Sequence, residues 1–80
     1  MQRLINASRK TVGTKQTQKF IESGQVLVVY IAKDAEERIT SPLLQMCKEK
    51  GIEVVYVDSM KELGNACGIK VGAATAAVLK

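Results

Sequence analysis

Residues 13 to 19, GTKQTQK, place a glycine, two threonines, two lysines and two glutamines where an apolar periodicity begins. A helix starting here would aim its unpaired backbone N–H groups, with Lys15 and Lys19, at whatever lies beyond its tip, which is the chemistry of an anion site. Gln16 can both donate and accept at a base edge, while a lysine only donates. Gly13-Thr14-Lys15 is not a phosphate-binding P-loop. That motif needs Gly-Lys-Ser/Thr with an earlier glycine, and here the order is wrong and the glycine missing.

Other chemistries find little support. There is no histidine, and Cys47 and Cys67 have neither Cys-x-x-Cys spacing for zinc or dithiol exchange nor a flanking base. Both read as reduced core residues. Glu36 and Glu37 are adjacent carboxylates in a charged segment and read as solvated surface. Gly64, Gly68 and Gly72 repeat at four-residue spacing, but Asn65 and Lys70 between them exclude a transmembrane packing face. The only aromatics, Phe20, Tyr30 and Tyr56, sit in apolar contexts, which argues against single-strand binding by base stacking. No cofactor is implied.

Eighty residues, 46% apolar and 25% charged, fit one domain over residues 1 to 80. A chain of this size buries only roughly 60–65% of its unfolded surface, which favours a binding face over a deep catalytic cavity. The formal charge is +4, and residues 1 to 21 hold Arg3, Arg9, Lys10, Lys15 and Lys19 with no acid, leaving −1 for the remainder. Such segregation points to a polyanionic partner. The N-terminus lacks an apolar signal core and the weakly polar tract AATAAVL is too short to span a bilayer, so a cytoplasmic chain without a membrane partner is expected.

The elements that must position these residues follow from periodicity. A short helix is expected over about residues 2 to 9, then an extended link through Thr11, Val12 and Gly13. Thr14 is the expected N-cap of a helix running to Ser23, with Thr17, Phe20 and Ile21 on its packed face and Lys15, Gln16 and Lys19 on the other. QVLVVYIA, residues 25 to 32, is a strand covered on both faces. Lys33 to Thr40 form a charged turn, and Ser41 with Pro42 opens a helix that packs through Leu43, Leu44 and Cys47 and ends at Gly51. IEVVYVD is another strand. Ser59 to Glu62 has the spacing of a capping box for a helix to about Cys67, and AATAAVLK is the last strand. This alternation predicts an α/β fold, a three-layer α-β-α sandwich around a mixed sheet of about four strands.

A second stretch, ELGNACGIKVGAA at residues 62 to 74, ends its helix at Gly68 and exposes Ile69 and Val71 about Lys70, before Gly72 and the last strand. Together the two stretches resemble the kink-turn RNA-binding family of ribosomal proteins L7Ae and L30e, most closely its short bacterial members of the YbxF type, over essentially the whole chain. The resemblance implies a partner: kink-turns, sharply bent RNA helices with tandem sheared G·A pairs beside a three-nucleotide bulge, in ribosomal RNA, a riboswitch or another structured RNA. It also assigns roles. The start of the second helix (Gly13, Thr14, Lys15, Gln16) contacts the G·A pairs, and the loop Ile69, Lys70, Val71, Gly72 covers the bulge. Many members have Asn-Glu where this chain has Lys15-Gln16, a form shared with the L30e branch. Lys70 replaces a frequent glutamate and Gly72 a frequent proline.

The physics agrees with this assignment. A regular A-form major groove is too narrow for side chains to read, and a kink opens it to a helix tip. Lys15 can donate to guanine O6 and N7, while Lys19, Lys33 and Lys61 suit phosphate, with Arg9 and Lys10 steering any RNA alike. The expected protein is a monomeric, non-catalytic RNA binder. The alternative is a ribosome-associated protein-interaction or assembly factor that uses the Ile69 to Val71 loop on a protein partner, and a small enzyme lacks an evident nucleophile or base. If phosphate contacts dominate, the affinity for structured RNA falls as salt rises, through counterion release. A salt titration with no slope would contradict the basic-face argument.

Overall fold

The run QVLVVYIA supplies an interior strand of the sheet. The computed structural model describes residues 1–80, with helices α1 (Gln2–Asn6), α2 (Thr14–Glu22), α3 (Glu37–Lys50) and α4 (Met60–Cys67) and strands β1 (Lys10–Val12), β2 (Val26–Ala32), β3 (Glu53–Val57) and β4 (Thr75–Leu79). The strand order is β1-β4-β2-β3. β4 runs antiparallel to both neighbours and β2 parallel to β3, giving the expected mixed four-stranded sheet.

The uninterrupted apolar run follows from burial on both faces. Side chains alternate across a strand, so Val28, Tyr30 and Ala32 pack with Leu4 of α1 and Leu63 of α4, while Val29 and Ile31 pack with Ile21 of α2 and Leu43 and Cys47 of α3. These are the two outer layers of the α-β-α sandwich. Val26 and Val28 would share a face in a regular strand. A register shift between them instead places Val26 in the Ile21 layer and leaves Leu27 exposed.

Three boundaries differ from expectation. The first helix stops at Asn6, and the link after it is a true edge strand, with Lys10, Thr11 and Val12 opposite Val78, Ala77 and Ala76. Its three residues carry too little alternation to signal a strand. The charged segment at 33 to 40 is a turn only in its first part. α3 begins at Glu37, where the Glu36 carbonyl accepts the N–H groups of Ile39 and Thr40 at 3.0 and 3.2 Å, so Pro42 lies inside the helix and Ser41 is not its cap. Proline there removes the hydrogen bond to Arg38, which is exposed and can be solvated, while buried Thr40 and Leu43 hold these turns on the sheet.

Outside the core, Arg3 and Glu53 pair at 2.6 Å and tie α1 to β3. The guanidinium hydrogen bond holds the Glu53 carboxyl below the usual carboxylate range. No helix is long and apolar enough to cross a membrane. Both cysteines are free thiols; Cys47 is buried, whereas Cys67 is only half-buried. Burial pushes both thiols up, opposed at Cys67 by the nearby charge of Lys10. A thiol whose folded value is raised stabilises the fold below its unfolded value, about 8.5, and that contribution is lost as pH rises through the folded value. Urea midpoints should therefore fall above about pH 8.5. Native-state alkylation should reach Cys67 before Cys47, and faster labelling of Cys47 would contradict this packing.

Candidate nucleic-acid interface

β1 runs into α2 through Gly13, whose φ of 97° is a conformation that side-chain-bearing residues rarely adopt. Gly13, and not Thr14, is the N-cap, and no side chain caps this helix. Its N–H donates to the Thr75 carbonyl at 2.9 Å and its carbonyl accepts the Thr17 N–H at 3.1 Å. Thr14 is instead the first helical residue, and its hydroxyl meets that of Thr75 at 3.4 Å. Beneath it, the buried hydroxyls of Thr11 and Thr17 pair at 2.9 Å. Threonines on β1, α2 and β4 thus fix the helix tip to the sheet. Lys15, Gln16 and Lys19 are exposed beyond it, and none enters the chain's three ion pairs.

The second motif is fixed just as firmly. Ser59 accepts the Glu62 N–H at 3.1 Å, the forward half of the expected capping box, and the Asp34 carboxylate accepts the Met60 N–H at 2.8 Å. Past Gly68, the Ile69 N–H returns to the Gly64 carbonyl at 3.1 Å, and the Ile69 side chain packs against the Leu4–Leu63 core. Val71, at 70% exposure, presents a free apolar side chain, whereas Ile69 is half-buried and only partly open to the surface. The C-terminal hydrogen bonding of the helix draws Ile69 inward. Lys70 and Gly72 are exposed beside Val71.

The glycine spacing has a local explanation. A Cβ at Gly64 would collide with the Val71 carbonyl oxygen, and one at Gly72 would lie 3.1 Å from the Met60 Cβ. Both glycines let the loop seat directly on α4, where the Ala73 N–H donates to the Met60 carbonyl at 3.0 Å.

Strand register brings these parts to one edge of the sheet, the edge formed by the C-terminal ends of β1, β2 and β3 and the start of β4. Val12 lies opposite Ala76, Ile31 opposite Thr75 and Ala32 opposite Val57, so the α2 tip, the Val71 loop, Lys33 and the start of α4 with exposed Lys61 share that edge. Lys33 is exposed but pairs with Asp58 at 3.2 Å. The other basic residues do not converge there. Arg3 pairs with Glu53, Arg9 donates to the Lys80 carbonyl at 2.7 Å at the opposite edge, and Lys10 reaches the Leu4 carbonyl at 3.3 Å. The acid-free segment therefore does not form one basic face. Asp34 and Tyr56 were missed as surface features of this edge; Tyr56 is 54% exposed on β3, while Tyr30 is buried. Its apolar neighbours in sequence hid the lack of a strand beyond β3.

The sequence profile of the Ribosomal protein L7Ae/L30e/S12e/Gadd45 family matches residues 2–80. The chain belongs to this family. It is 56% identical over 69 residues to RNA-binding protein TTE2299 of Caldanaerobacter subterraneus, covering 86% of this chain and 84% of that one. It is 38% identical to RNA-binding protein YbxF of Geobacillus stearothermophilus, over 99% of this chain and 96% of the relative. The solved Giardia lamblia 15.5kD RNA binding protein superposes with a TM-score of 0.87 at 28% identity, covering 98% of this chain and 66% of that longer one. The L7Ae-family membership and the short bacterial relatives agree with the resemblance carried by the two motifs.

Gly64→Ala tests the seating of the loop in this L7Ae-family chain. The alanine gains roughly 1 kcal/mol as a helix former, but overpacking against fixed backbone typically costs about 1–3 kcal/mol. The collision should win, and the urea midpoint should fall. An unchanged or higher midpoint would mean that the loop is free to lift away.

Proposed function

We propose that this protein is a non-catalytic RNA-binding module of the cytoplasm that recognises and stabilises kink-turns. The observation that carries the reading is the meeting of the α2 tip and the Val71 loop at one sheet edge, joined through Gly13 and Thr75. The RNA-binding names of the relatives support it. Lys15 and Gln16 read the edges of the tandem G·A pairs, Lys19 holds phosphate one turn along α2, and Val71 covers the bulge with Lys70 and Gly72 beside it. Lys33 and Lys61 give further phosphate contacts, with Lys33 exchanging Asp58 for the RNA. Arg9 and Lys10, bonded to the chain's own backbone at some distance from the tip, contribute little.

The mechanism is population shift. A protein that binds the bent RNA more tightly than the extended form moves the RNA toward the bend by that difference in affinity. The 70% exposure of apolar Val71 also suits a protein partner in ribosome assembly. Specific binding to protein-free kink-turn RNA separates the two readings.

Replacing Lys15 and Gln16 together by alanine should cost about 1–3 kcal/mol per lost base contact and chiefly lower the preference for kink-turn over plain duplex. Val71→Asp should instead lose apolar contact and set a carboxylate against phosphates, an effect that shrinks on an RNA with a shortened bulge. Fluorescence titrations, with thermal melts to verify folding, measure both. Equal losses on kinked and straight RNA for both variants would reject specific recognition.

A further inference from the structure

Met60 occupies a junction. Its N–H is held by the Asp34 carboxylate at 2.8 Å, from the turn after β2, while its carbonyl holds the Ala73 N–H at 3.0 Å and its backbone and Cβ abut Gly72. The turn bearing Asp34 is itself fixed: the Lys33 N–H donates to the Val57 carbonyl at 2.8 Å and the Lys33 ammonium meets Asp58 at 3.2 Å. Ser59 serves the Glu62 N–H, so the Met60 N–H depends on Asp34. A carboxylate at a helix N-terminus also interacts favourably with the helix dipole.

We propose that Asp34 is a positioning residue for RNA binding: through Met60 it sets the place of the Val71 loop against the bulge. This rests on the kink-turn reading above. Asp34 is an acid on an edge that would face phosphates, so its charge alone opposes RNA, and its geometric role carries the opposite sign. The two effects are therefore separable by substitution. Asp34→Asn keeps an acceptor oxygen without the charge, while Asp34→Ala removes both.

The test is titration of Asp34→Ala and Asp34→Asn against a kink-turn RNA and the same RNA with its bulge shortened, together with hydrogen exchange of the free proteins. A coupling carried by one capping hydrogen bond is set by what such a bond is worth, typically about fivefold. Asp34→Ala should weaken binding by up to about fivefold on the intact bulge and by much less on the shortened one. Asp34→Asn should match or exceed the parent. In the free protein, the Ala73 amide should lose protection in Asp34→Ala and keep it in Asp34→Asn, with amides of β2 unchanged. Equal gains in affinity for both variants on both RNAs would show that Asp34 acts only as a charge and would overturn the proposal. So would unchanged Ala73 protection in Asp34→Ala, or a uniform loss of protection that includes β2. A parent protein without kink-turn preference would sink the proposed function instead, and the Ala73 result would still decide whether Asp34 holds the loop.

Discussion

The hydrogen bond from the Gly13 N–H to the Thr75 carbonyl is the contact on which the rest of the arrangement depends. It exists because the last strand inserts between the first and the second, bringing a turn near the start of the chain beside a loop near its end. That insertion sets the composition of β4. Every residue of TAAVL is buried, and Ala76 and Ala77 face opposite helical layers, where small side chains let the helices approach. The threonine hydroxyls at this junction would each cost about 1–3 kcal/mol if buried without a partner. They satisfy one another, and no buried side-chain N or O atom is left unpaired. The helix tip is thus located by polar complementarity, which fixes direction more narrowly than apolar contact does.

Charge works differently from what its distribution along the chain suggests. Of the five basic residues in the acid-free segment, Arg3, Arg9 and Lys10 have partners inside the fold, and only Lys15 and Lys19 stand free at the edge. Lys33 and Asp58 form an exposed pair of the kind worth little net stability, so breaking it for a phosphate costs little. Lys15 lies in the first turn of α2, where its field adds to that of the unpaired N–H groups, and Lys19 stands on the same exposed side in the last turn. Placement, more than net charge, therefore distinguishes this edge.

Much of the fold is legible in the sequence because its strongest signals are local. The continuous run before Lys33 marks a strand covered twice, Gly51 and Gly68 end helices, and Ser59 caps α4. The failures share a cause, since each depends on what lies across the sheet. β1 is a strand only because β4 lies beside it, and α3 starts early because Thr40 and Leu43 find a core, against the plain reading of Ser41-Pro42. At the candidate site, Lys15, Gln16 and Val71 are exposed as expected, whereas Ile69 is half-covered by the core at the helix end. The purpose of Gly64 cannot be read from spacing. It becomes evident only when the Val71 carbonyl is found against it.

Under the proposed function, these fixed contacts have an energetic consequence. Binding that must order a loop or a helix tip spends free energy on the protein before any reaches the RNA. Here the α2 tip is held by Gly13 and the threonines, and the Val71 loop by Ala73, Met60 and its seat on Gly64. Both surfaces are set at a constant separation, because one sheet carries them. On the proposed reading, a straight RNA helix satisfies one surface at a time and a bent one meets both. The affinity gap between the two RNA shapes is then the contribution of the second surface, and by linkage that gap limits how far the protein can shift the RNA toward the bend. In that reading, the contacts that hold the α2 tip and the Val71 loop to one sheet are what convert two modest contacts into shape selection.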